Sequence, residues 1–143
     1  MDQAQMIAKL APAIGLRAYW NAETLADNNF TPPIVAARVL APHERAYADA
    51  DIILDYGRHT ENDRYAEGLT CNSSRIVAIE WQTFHKDDIR LVLTYLTPHK
   101  ERETTALVFV GSAASISQAI DTARKANAWR DDPLTSRVRP PNA

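Results

Sequence analysis

Asp55, Tyr56, Arg58, His59, Glu61 and Asp63 fall close together between positions 55 and 63. Imidazole beside carboxylates can pass protons or hold a cation. The cluster starts where a short apolar run ends and leads into a polar segment. That arrangement can place reactive groups on a rigid base. His85, Asp87 and Asp88 form a second group of the same chemistry. Asp55, His59 and His85 are thus the acid–base candidates. Each has a plainer reading. Exposed charges in loops most often form solvated ion pairs, and a short polar hairpin needs turn formers such as Asp.

The other chemistries have little to stand on. Cys71 lies between Thr70 and Asn72 with no basic neighbour to lower its pKa, so it reads as a bystander. It is the single cysteine, so no intrachain disulfide and no paired-cysteine metal site can form. There is no phosphate-binding glycine loop and no nucleophile elbow, and there are only 4 glycines. No metal and no cofactor are expected. His43, Glu44 and Arg45 after Pro42 fit a turn or a helix start. Glu80 and Gln82 share one strand face, with Arg90 and Thr94 beside them on the next strand, as cross-strand polar pairs.

Aromatic and arginine side chains offer a different use, because they dominate protein-interface hot spots. Tyr19, Trp20 and Phe30 flank an early loop. Trp129 sits near the end of the expected last helix and precedes a charged, proline-containing tail that carries Arg137 and Arg139. Trp20, Trp129, Arg137 and Arg139 are the protein-binding candidates.

The positioning elements follow from periodicity. Asp2 and Gln5 form a capping-box signal before Met6, Ile7 and Leu10, so the chain should open on a helix that Pro12 ends. Leu16 to Trp20 reads as extended, and residues 21–33 as loop. The apolar run 34–41, bounded by Pro33 and Pro42, suits a buried strand, and 51–56 suits another. Segment 58–74 is the least regular, with room for a helical turn from Thr60 to Gly68. Two-residue alternation from 75 to 111 predicts a three-stranded antiparallel meander. Ser115 and Gln118 make a second capping signal, and Ile116, Ala119, Ile120 and Ala123 a helical stripe that should cover the sheet. The fold class is α+β, mainly antiparallel sheet, packed by an N-terminal and a C-terminal helix. Residues 1–130 read as one domain and 131–143 as a proline-containing tail.

Composition narrows the role. The chain has 143 residues, 45% hydrophobic and 24% charged, enough for a proper core. Net charge is −2, which weighs against nucleic acid, since phosphate binders usually carry a basic excess. No apolar run reaches membrane-spanning length and the N-terminus lacks a secretory pattern, so a cytoplasmic location, in a cell or an infected host, is expected. The reading is a non-enzymatic assembly or protein-interaction subunit, bound to a protein partner or to its own copies. A structural component of a viral or phage-like particle and a small inhibitor protein are both forms of it. Strand addition at sheet edges and aromatic anchors would supply the binding. The alternative is a small α+β enzyme or ligand-binding domain with a pocket between sheet and helices.

Overall fold

Asp2 caps the first helix. Its carboxylate accepts from the Gln5 amide at 2.7 Å, and the Gln5 side chain accepts from the Asp2 amide at 3.3 Å. This is the reciprocal box the sequence predicts. Helix α1 spans Gln3–Leu10 and buries Met6 and Leu10. Pro12 has no amide hydrogen, and the helix gives way to a 3-10 turn at Ala11–Ala13.

The computed structural model describes residues 1–19, 30–44, 49–59, 66–85 and 87–131. Its strands are β1 (Arg17–Ala18), β2 (Ala36–Val39), β3 (Ile52–His59), β4 (Ala66–Cys71), β5 (Ile76–Thr83), β6 (Ile89–Leu96) and β7 (Arg102–Val110), followed by α2 (Ala113–Lys125). They form two antiparallel sheets. One has the order β1-β7-β6-β5, the other β2-β3-β4. The meander β5-β6-β7 is the one expected, in a register that sets Trp81 opposite Leu91 and Leu91 opposite Leu107.

Residues 30–39 tie the two sheets together. Phe30 bridges to Tyr19, the Thr31 amide donates to the Ala18 carbonyl at 2.7 Å, and the Ile34 amide donates to the Leu16 carbonyl at 2.9 Å. The same stretch then pairs with β3 as β2. At the opposite edge of the four-stranded sheet, the Trp81 amide donates to the Ala128 carbonyl at 2.7 Å and the Arg130 amide to the Trp81 carbonyl at 2.9 Å. The chain's own segments therefore cover part of both edges of this sheet, which limits strand addition there.

The core lies between the helices and the sheets. Trp81 is fully buried, with its ring centroid 5.1 Å from that of Phe109. Its indole N–H donates to the Lys9 carbonyl at 2.7 Å, the partner a buried tryptophan needs. Ile116, Ala119 and Ala123 of α2 are buried, as the stripe predicts.

Four expectations need correction. The apolar run 34–41 is not a buried strand: β2 is a short edge strand, and Val35 and Val39 are 56% and 39% exposed. An apolar run alone does not distinguish an edge from a centre. Residues 66–68, expected in a helical turn, begin β4, while 60–65 lie outside the described residues. Helix α2 is capped by Ser112, whose Oγ accepts from the Ser115 amide at 3.1 Å, not by Ser115. Trp129 lies past the last helix, which ends at Lys125.

Gly57 and Gly68 show why β3 and β4 need glycine. Gly57 has φ +74° at a register shift in the β3–β4 pairing. At Gly68 a Cβ would stand 2.2 Å from the Leu54 carbonyl oxygen.

Candidate functional site

The outer face of the four-stranded sheet is built by alternation. Ala18, Phe109, Ile89 and Trp81 turn to the core, so their neighbours along each strand turn away. Gln82 pairs with Arg90, Arg90 with Val108, and the Tyr19 amide donates to the Val108 carbonyl at 3.0 Å. With the Tyr19–Phe30 bridge, one row crosses the face: Phe30, Tyr19, Val108, Arg90, Gln82. Arg17 stands beside it, opposite Val110. Five neighbouring strand positions span about 19 Å.

Rings and guanidiniums lie close together on and beside this row. The Tyr19 and Phe30 centroids are 4.6 Å apart, and the Arg17 guanidinium lies 5.1 Å from the Phe30 centroid. The Arg90 guanidinium lies 5.9 Å from the Phe84 centroid, and the His85 ring meets Phe84 edge-on at 4.3 Å. Phe84 is 37% exposed and Arg17 is exposed, while Tyr19, Phe30 and Arg90 are half-buried.

The hydrogen bonds of the two arginines go to neutral acceptors. Arg90 donates from Nε and Nη2 to the Gln82 Oε1 at 3.0 and 2.8 Å. Arg17 donates from Nε to the Thr31 carbonyl at 3.0 Å. Among the described residues, the ion pairs hold Arg38, Arg75 and Arg130, and none includes Arg17 or Arg90. Each guanidinium has five N–H donors, so both keep capacity for a carboxylate. Asp88 flanks the row. Burial raises its pKa, against the lowering effect of His85, and burial together with Asp88 raises that of Tyr19.

The acid–base candidates Asp55 and His85 do not converge. Asp55 is a structural carboxylate: it accepts from Arg38 Nε at 2.9 Å and from the Gly57 amide at 2.7 Å. Arg38 also donates from Nη1 and Nη2 to the two Glu44 oxygens at 2.5 and 2.6 Å. Glu44 in turn accepts from the Ala41 amide at 2.9 Å, and its contact with Arg38 raises the arginine's pKa further. This clamp fastens β2, the turn after it and β3. His59 ends β3, paired with Ala66. His85 is exposed in the β5–β6 hairpin of the other sheet. A cavity of about 330 Å³ lies between the 3-10 turn and α2, lined by Pro12, Ile14, Ser115, Gln118 and Thr122 among others. Neither Asp55 nor His85 lines it.

A third polar cluster is also structural. Asp51 accepts from the Ser73 hydroxyl, from the Ser73 amide at 2.8 Å and from the Gln3 side chain at 2.9 Å. Burial alone would raise the Asp51 pKa, but these bonds outweigh it and leave it lowered. Burial, aided by Asp51, pushes the Cys71 thiol up to about 12, so the thiolate is scarce at neutral pH. Among the described residues no three His, Cys, Asp or Glu side chains are placed to hold a metal ion. No helix there is long and apolar enough to cross a membrane.

Of the protein-binding candidates, Trp20, Arg137 and Arg139 lie outside the described residues. Trp129 is half-buried on the edge of β5, under the Arg124 guanidinium at 5.8 Å, with its indole N–H directed to Asp131 at 3.3 Å. The sequence places Arg90 and Thr94 beside Glu80 and Gln82, of which Gln82 and Arg90 are directly opposite while Thr94 faces Ala78, but it does not reveal Arg17, Phe30, Tyr19 and Phe84 as one surface with them. The available signal was the odd–even parity of 17 and 19 against 18, which carries them to the side facing away from the core. No protein-family model matches the chain, and no curated protein and no solved structure matches it.

Proposed function

We propose that the protein is a non-enzymatic interaction subunit that binds another protein through the outer face of its four-stranded sheet. One observation carries the reading: two arginines with no carboxylate partner among the described residues stand beside aromatic rings on one face of the sheet. Arginine and tyrosine are enriched at protein hot spots, where a desolvated guanidinium meets a carboxylate against a flat apolar surface. The engaged state of Asp55 and the separation of His85 from it favour this reading over the enzyme. A particle subunit and an inhibitor remain the two forms it can take.

Sedimentation velocity tests it on the full chain, alone over a concentration series and mixed with fractions of its native lysate. We expect an oligomer or a complex that is lost in the Arg17→Glu/Arg90→Glu double variant. A strict monomer that shifts in no fraction contradicts the reading.

A further inference from the structure

The outer edge of β7 is covered at one end only. Arg17 and Ala18 of β1 pair with Val110 and Phe109, and the Tyr19 amide donates to the Val108 carbonyl at 3.0 Å. Among the described residues nothing pairs with the outer edge of β7 from Arg102 to Leu107. Arg102, Glu103, Thr104, Thr105 and Ala106 are all exposed, although alternate side chains point to opposite faces. This end of β7 therefore stands clear of the core on both faces, and a strand can reach its edge. The ladders say which main-chain groups point outward. Val108 turns its carbonyl to Tyr19, so Ala106, Thr104 and Arg102 turn their carbonyls and amides the same way. An open row of this kind is completed by an added strand.

We infer that the added strand is β7 of a second copy, antiparallel to the first about a two-fold axis at Thr104; this surface is separate from the arginine face proposed above. Outward groups must meet outward groups, which leaves few registers. An axis at Glu103 would set that carboxylate against its own copy, a like-charge pair. An axis at Thr105 would set Arg102 on the second copy's Val108, whose carbonyl Tyr19 already takes. An axis at Thr104 avoids both. It sets Thr104 against Thr104, Arg102 against the second copy's Ala106, and Glu103 against its Thr105, so no like charges meet. About six ladder hydrogen bonds then form between the copies. The hairpin turns back toward β6 at Glu101, whose carbonyl accepts from the Thr97 amide at 2.9 Å, so the loop does not run on along the edge. A two-fold contact uses one patch twice and closes, so the product is a dimer and not a fibre.

The test is sedimentation equilibrium on the full chain, with oxidative cross-linking beside it. We expect the native chain to dimerise. Ala106→Pro removes an amide that faces away from β6, so the meander keeps its own ladder while the dimer loses a donor from each copy. Dimerisation should weaken by about tenfold or more. Thr104→Cys sets two thiols across the axis on Cα atoms about 5.5 Å apart, within disulfide reach, and should give a covalent dimer on oxidation. Thr105→Cys lies about 8 Å from its own copy and should not. The native chain, whose one cysteine is the half-buried Cys71, should not either. A native monomer at every concentration, an unchanged dimer in Ala106→Pro, or equal cross-linking at positions 104 and 105 overturns the inference. The cysteine pair decides it even where Ala106→Pro does not fold. A dimer lost in Arg17→Glu/Arg90→Glu but kept in Ala106→Pro overturns it in favour of the outer face. If the dimer forms but no partner complex does, the outer-face reading falls and the edge pairing stands.

Discussion

The two sheets use arginine in opposite ways. On the three-stranded sheet, Arg38 meets Asp55 through Nε and Glu44 through both terminal nitrogens, and the two carboxylates accept backbone amides besides. Both carboxylate side chains are less than a tenth exposed. On the outer face of the four-stranded sheet, Arg17 and Arg90 reach, among the described residues, a carbonyl and an amide oxygen. The first arrangement is closed, because each partner uses the other's capacity. The second holds its charges on neutral oxygens, with no counter-charge among the described residues. The same side chain thus meets carboxylates in one sheet and, among the described residues, neutral oxygens in the other.

The largest effect that would break this contrast is on stability. Arg38→Met leaves Asp55 and Glu44 buried without a counter-charge and should cost about 3 kcal/mol in urea unfolding. A loss under about 1 kcal/mol would show that the clamp does not hold the sheet. Gly68→Ala comes next. Its Cβ would press on the Leu54 carbonyl oxygen, a backbone atom, so β4 must shift from β3 at about 2 kcal/mol. On the other face, the Arg17→Gln/Arg90→Gln double variant should change unfolding free energy by less than about 1 kcal/mol while it loses binding. A large stability loss there would erase the contrast.

The smallest effects are in pH. The Asp51 pKa is lowered in the fold, so its contribution is complete above its unfolded value of about 4 and is lost as pH falls through the folded value. Ser73→Ala should weaken that acid dependence in a series of urea melts. Asp88 has the opposite sign. Its folded pKa is raised, so its burial is unfavourable when ionised and is relieved as pH falls through the folded value. Asp88→Asn should therefore raise stability at pH 7 by less than about 0.5 kcal/mol, and a loss of stability would show that Asp88 has a favourable partner.

How much of this was legible follows from what each signal depends on. The meander and the stripe of α2 were readable because alternation and helical spacing are local. That Gln82 and Arg90 share a face followed from the same alternation across one short hairpin, while their register came from the structure. The clamp was not readable, because Arg38, Glu44 and Asp55 meet through strand pairing and a turn that no local pattern encodes. The sign of it was there: Arg38 is the single charge within the apolar run 34–41. The outer-face row was hidden for a like reason. Tyr19 and Arg90 are far apart in sequence, and only the β1–β7–β6 order makes them neighbours. Asp55 and His59 drew notice as a cluster, yet sequence proximity does not say that Arg38 already occupies Asp55.

Photo-cross-linking from position 84 tests the central claim most directly. Benzoylphenylalanine replaces Phe84 in the full chain, with and without Arg17→Gln/Arg90→Gln, and both proteins are irradiated in native lysate. The account predicts a discrete protein adduct on the first and its loss on the second, with the thermal midpoint of the two chains nearly equal. An adduct of equal yield on both chains, or none on either, would contradict it.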